Sequence, residues 1–122
     1  MQRRDYIAIK KIMKEMSIGV SLLGNTTETD FLNNEMQKRA LGMTCINVGE
    51  LVKVVTDDTR LKYKSFPWKA VAGIRDVTAH RYQTLRMEDV YNTVHDEYPI
   101  LIKKLQNIID EVDYASEDVN KE

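Results

Sequence analysis

The sequence predicts an all-α protein, a four- to five-helix up-and-down bundle, and three observations carry that prediction. Apolar residues recur at helical spacing in well-separated stretches, the first from Arg4 to Leu23 and the last from Val90 to Val112. Residues that start or stop helices stand between them, among them Gly24-Asn25, Asp57-Asp58-Thr59 and Pro67. At 122 residues the chain is one domain, large enough for a single core without staples. That helical domain is expected over residues 1–112, and residues 113–122 read as an acidic, frayed tail, because apolar periodicity stops at Val112.

The first helix places Ile9, Ile12, Met13, Met16, Val20 and Leu23 on one stripe with the polar residues mostly opposite. Gly24-Asn25 closes it, since both residues tolerate a left-handed C-terminal cap. Thr26 to Asp30 offers N-cap candidates, so Phe31-Leu32 opens either a short second helix or the first turn of a longer one. From Glu35 to Val55 the apolar residues, Ala40, Leu41, Met43, Cys45, Ile46, Val48, Leu51, Val52, Val54 and Val55, spread round most of a helix. Such a helix is either central in its domain or shared with another chain, and in so small a domain a homodimer is expected. Gly42 and Gly49, seven apart, would let another backbone approach, and Asn47 and Glu50 are polar residues on this apolar surface. Buried without partners those two would be costly. Glu50 is either satisfied across the core or a support for the neighbouring motif helix.

Asp57-Asp58-Thr59 should end that helix and the Lys/Tyr-rich segment to Phe66 should be a loop. Pro67 suits the first turn of the next helix, because its φ is already helical and its missing N–H would have had no partner there. Ala70, Val71, Ile74 and Val77 form the inward stripe of this helix, leaving Arg75 and His80 on opposite outer shoulders with Ala72 and Ala79 between them. The last helix has Glu88 and Asp89 in its first turn, the favourable sign for the helix dipole. Its core stripe is Val90, Val94, Leu101, Leu105, Ile108 and Val112, and Pro99 should kink it by removing one backbone hydrogen bond.

Net charge is −1, which argues against a protein basic all over, yet the charge is segregated along the chain. Residues Arg60 to Arg86 hold seven basic residues against Asp76 alone, whereas three basic residues face ten acidic ones from Met87 onward. The basic block is either a solvated face or a surface for a polyanion, with Lys69 and Arg81 as substrate-binding candidates. Cys45 is the single cysteine, so no intramolecular disulfide forms and a cytoplasmic location is expected. No apolar run reaches membrane-spanning length. His80 and His95 are fifteen apart with the cysteine in a third helix, and the five glycines are scattered, so neither a metal site nor a phosphate-binding glycine loop is expected, and no cofactor. His95 is assigned no role.

The stretch from Phe66 to Tyr82 concentrates the remaining chemistry. Arg75 offers a permanent charge that suits bidentate contact with phosphate, His80 carries an imidazole of the kind that titrates near ~6.5 when unperturbed, Asp76 stands four residues before it, within reach of that ring, and Tyr82 adds a phenol. By themselves these residues also fit a surface arginine, a histidine paired to an aspartate and a packing tyrosine.

Arg75-Asp76-x3-His80-x-Tyr82 resembles the Arg-x4-His-x-Tyr motif of HepT-like toxins in the HEPN superfamily. The likeness runs along most of the chain, through Gly49-Glu50 in the preceding long helix, the Pro67-Trp68 entry and a last helix interrupted by Pro99. It implies a HEPN-like homodimer and a metal-independent endoribonuclease in which His80 acts as acid and base and Arg75 stabilises the phosphorane, with Asp76 and Glu50 in support. Attack by the 2′-hydroxyl would leave a 2′,3′-cyclic phosphate and spare DNA. It further implies a nucleotidyltransferase antitoxin as partner, which silences the toxin by adding AMP to Tyr82. The competing reading is a non-catalytic helical module of the same fold that binds a nucleotide or RNA together with that partner.

Overall fold

The computed structural model describes residues 1–73 and 85–114, with the side chains of Asp113 and Tyr114 excepted. Every regular element among them is helical: α1 (Arg3–Leu23), α2 (Glu28–Leu32), α3 (Glu35–Val54), α4 (Asp57–Lys62), α5 (Trp68–Gly73), α6 (Met87–Asn92), a π-helical turn (Thr93–Glu97) and α7 (Tyr98–Tyr114). The expected all-α bundle is the fold observed.

In α1 the expected stripe faces inward: Ile9, Ile12, Met16 and Leu23 are buried, with Met13 and Val20 packed at its edge. Gly24 ends the helix at φ +54°, where a side chain would be strained, and its N–H returns to Val20 O at 3.0 Å. Thr27 then caps α2 by accepting from Asp30 N at 3.2 Å, and Asn34 caps α3 by accepting from Gln37 N at 2.9 Å. The second helix is therefore the short alternative. Gln37 Nε2 donates to Leu22 O at one end of the α1–α3 pair, and Arg4 Nη2 donates to Val54 O at the other, so the two helices run antiparallel.

Helix α3 is central among the described helices. It packs against α1, α2, α5 and α6, and its buried side includes Leu41, Cys45, Val48 and Val52 together with Gly42 and Gly49. Its exposed residues include a line of Met36, Arg39, Met43, Asn47, Glu50 and Val54. Asn47 and Glu50 are thus exposed rather than buried in apolar surroundings, and Asn47 Nδ2 donates to Glu15 Oε1 at 3.3 Å. A close approach absent from the sequence-based expectations is at Gly19, where a Cβ would stand 3.1 Å from Thr44 Cγ2 and 3.8 Å from the Tyr98 ring.

The last helix keeps its predicted core stripe, with Val90, Val94, Leu101, Leu105, Ile108 and Val112 all buried. Pro99 acts differently from a simple kink. The helix widens just before it into the π turn Thr93–Glu97, and Tyr98 N–H reaches back to Thr93 O. A π turn relieves the clash of the proline ring with the carbonyl four residues earlier without breaking the rod. Exposed His95 stacks on Tyr91, centroids 5.1 Å apart, and its Nδ1 contacts Asp96 Oδ1 at 2.6 Å. Tyr98 at the start of α7 lies against Gly19 late in α1, while Lys104 reaches Ser65 in the turn after α4, so α7 runs opposite to α1.

Candidate functional site

The segment between the end of α3 and the start of α5 forms a shoulder that delivers the chain to the motif. Its first half departs from expectation: Asp57 and Asp58 open a helix of their own, α4, and do not terminate α3, which ends at Val54. Two carboxylates in a first turn, with Arg60 and Lys62 in the last, match the helix dipole at both ends. The Thr56 side chain makes no capping bond within α4; a distant residue takes that role. Asp5 of α1, fully buried, accepts from Thr56 N at 3.0 Å, Thr56 Oγ1 at 2.5 Å and Thr59 Oγ1 at 2.6 Å. A carboxylate taken out of water needs this saturation.

Arg60 then turns back on α3, its Nε donating to Val55 O at 3.1 Å and its Nη2 to Val52 O at 2.8 Å, a cationic cap on carbonyls that the helix leaves open. The second half of the shoulder closes on an aromatic pair. Phe66 and Trp68 are buried with ring centroids 4.4 Å apart, and Tyr63 O accepts from Phe66 N at 3.1 Å and from Trp68 Nε1 at 3.0 Å. Pro67 stands immediately before α5, and its carbonyl takes the first helical bond, from Val71 N at 3.0 Å. On α5 the residues turned inward are Trp68, Val71 and Ala72, whereas Ala70 is exposed. The inward stripe predicted through Ala70 and the outer place predicted for Ala72 are therefore corrected: the indole of Trp68 sets the rotation of the helix.

The chain leaves the described residues at Gly73. Arg75, Asp76, His80, Arg81 and Tyr82 lie outside them. Of the other predicted site residues, Lys69 is exposed on α5 and Glu50 is exposed on α3, the helix against which α5 packs. Two clefts adjoin the shoulder. One, of about 350 Å³, lies between the start of α1 and α4 and is lined by Met1, Gln2, Asp5, Thr56, Asp58, Thr59, Lys62 and Tyr63. The other, of about 430 Å³, separates α5 from the π turn, where Ala70 and Val71 face Asn92, Thr93, Glu97 and Tyr98.

Two buried groups, Cys45 and Tyr98, are held in their neutral forms. Burial pushes the Cys45 thiol up to about 11, and burial first, then the neighbouring Cys45, drives the Tyr98 phenol upward as well. Neither is a nucleophile near neutral pH. The Asp5 lock is what sequence reading missed. Asp5 looks like an ordinary first-turn acid of α1, and its partners are fifty-one and fifty-four residues away.

The model of a family described as ribonuclease HepT-like matches residues 8–108. Among similar proteins, two from Methanocaldococcus jannaschii, each named "Putative RNase", are 32% identical over 119 residues, spanning 96% of this chain and 98% of the relative, and 31% identical over 115 residues, spanning 93% and 98%. A third of that name, from Caldanaerobacter subterraneus subsp. tengcongensis, is 27% identical over 101 residues and covers 83% of this chain and 90% of its own. No solved structure matches the chain significantly.

Proposed function

The chain belongs to the ribonuclease HepT-like family of the HEPN superfamily, and on that premise we propose that it is a metal-independent endoribonuclease acting as the toxin of a toxin–antitoxin pair. The observation that carries this reading is the sequence Arg75-x4-His80-x-Tyr82, inside the matched span and directly after a basic, rigidly built entry turn.

His80 takes the proton of a ribose 2′-hydroxyl, whose oxygen attacks the adjacent phosphorus, and Arg75 balances the charge that grows on the phosphorane oxygens. The bond to the 5′-oxygen breaks, that oxygen takes up a proton, and the products end in a 2′,3′-cyclic phosphate and a 5′-hydroxyl. Asp76 orients the imidazole and Glu50 supports the motif helix from α3. One histidine serves poorly as base and acid at once, so two copies pair through their motif helices and share a composite site. A partner nucleotidyltransferase silences the enzyme by attaching AMP to Tyr82, where the added phosphate competes with substrate for Arg75. The cytoplasm supplies both the RNA and the reducing conditions that suit a lone cysteine.

The test is incubation of the purified protein with end-labelled RNA and with DNA of the same sequence, in excess chelator. Cleavage of RNA alone, with cyclic-phosphate ends, is expected, falling by about 10²–10⁴-fold in Arg75→Ala and His80→Ala variants that stay folded. Cutting of DNA, dependence on added metal, or full activity in His80→Ala would sink the mechanism. Growth arrest by Tyr82→Phe that the partner can still neutralise would remove the AMP step.

A further inference from the structure

We propose that the turn between α4 and α5, together with the turn of α7 facing it, is a binding strip for the phosphate backbone of single-stranded RNA, with Lys64, Lys69 and Lys104 as its cations. The inference rests on the ribonuclease reading and extends it to the substrate outside the reacting bond.

Lys64 and Lys69 each follow one end of a contact: Trp68 Nε1 donates to Tyr63 O at 3.0 Å, so residues five apart in sequence are drawn together. Phe66 and Trp68 fix the turn from below, both of them buried, while the two lysines stay exposed. The third cation comes from elsewhere in the chain. Exposed Lys104 sends its Nζ to Ser65 O at 3.5 Å, beside Lys64. It belongs to a stretch in which acidic residues outnumber basic ones ten to three, and only the fold joins it to the basic block.

No Asp or Glu occurs in the sequence between Arg60 and Gly73, while Asp89 and Glu97 line the cleft beside α5 with Ala70 and so bound the strip on that side. Glu111 acts on the Tyr63 hydroxyl and so marks one edge of the strip. Arg60 is committed to the carbonyls of α3 and Lys62 lies over the Tyr63 ring, 5.5 Å from its centroid, so neither is counted. Exposed ammonium groups on a rigid turn act as point charges for phosphates and read no bases. Lys69 stands six residues before Arg75 in the sequence.

The test measures binding of a fluorescein-labelled, unstructured 20-nucleotide RNA in a His80→Ala background, so that cleavage does not interfere, across a salt series. Lys64→Glu/Lys104→Glu is expected to weaken binding by about tenfold or more and to flatten the log Kd against log salt slope by about 1.4, two single-strand phosphate contacts. Lys64→Arg/Lys104→Arg should stay within about twofold. Lys11→Glu/Lys14→Glu, an equal charge change at exposed sites on α1, should leave both readouts near the parent. The strip is wrong if the first pair behaves like the α1 pair, or if the parent binds no RNA. Failure of cleavage in the unmutated protein would instead overturn the proposed reaction, because this binding comparison does not depend on it.

Discussion

The α1–α3–α7 core and the α4–α5 shoulder are held together by different physics. The core is a continuous apolar cluster that includes Ile9, Ile12, Met16, Leu41, Val48 and Leu105, with α1 brought close to Thr44 and Tyr98 at Gly19. The shoulder reaches that cluster through the buried Val55, Phe66 and Trp68, and is otherwise tied by polar bonds: the Asp5 carboxylate with its three donors, Arg60 on the carbonyls of α3 and the Trp68 indole on Tyr63 O. A core spreads the effect of one lost contact over many neighbours, whereas a polar anchor has no substitute. The part that leads into the motif thus depends more on single polar bonds than the core does.

Removing core volume should give the largest effect. Leu105→Ala is expected to destabilise the whole domain by about 3–4 kcal/mol, with one transition seen equally by far-UV circular dichroism and by fluorescence. Next comes Asp5→Ala, which strands the buried hydroxyl of Thr59 and the half-buried donors of Thr56 and should cost about 3 kcal/mol. Here the two probes should separate. Trp68 is the single tryptophan and sits in the shoulder, so its fluorescence should change at lower denaturant than the helical signal. Coincident transitions in Asp5→Ala would erase the distinction between the two regions.

Trp68→Phe keeps an aromatic against Phe66 but removes the indole donor, while Phe66 N still occupies Tyr63 O. A loss of about 1 kcal/mol is expected, together with faster hydrogen exchange confined to residues 63–73. The smallest effect concerns Cys45. Its thiol is raised to about 11 by burial, above the ~8.5 of an unfolded cysteine, so the folded state keeps a proton that the unfolded chain releases. This contribution is complete below about pH 8.5 and is lost as pH climbs toward 11, and Tyr98, shifted the same way, adds to it at still higher pH. Ellman's reagent at pH 8 should therefore leave native Cys45 unmodified and label it promptly in denaturant; fast labelling of the native protein would contradict the packing around it.

Much of the molecule was legible in the linear chain. Helical spacing located the stripes of α1 and α7, Gly24 and Pro67 marked a stop and a start, and the order of Arg75, His80 and Tyr82 pointed to the family. These are local signals, set by the 3.6-residue period and by the backbone preferences of single residues. Where a choice depended on what lay opposite, the linear reading stopped short. Asp57-Asp58 read as an ending because the carboxylate that anchors α4 is in α1; the facing of α5 depends on the pocket that receives Trp68; Glu50 and Asn47 are exposed because α1, α2, α5 and α6 cover the other sides of α3. Lys104 joins the basic turn on the same terms. By itself the sequence determined the long helices α1, α3 and α7, their boundaries within a few residues and the family; the short helix α4, which faces are covered, and which distant charges meet, only the packing decided, because burial and pairing are properties of two surfaces and one stretch of chain supplies only one of them.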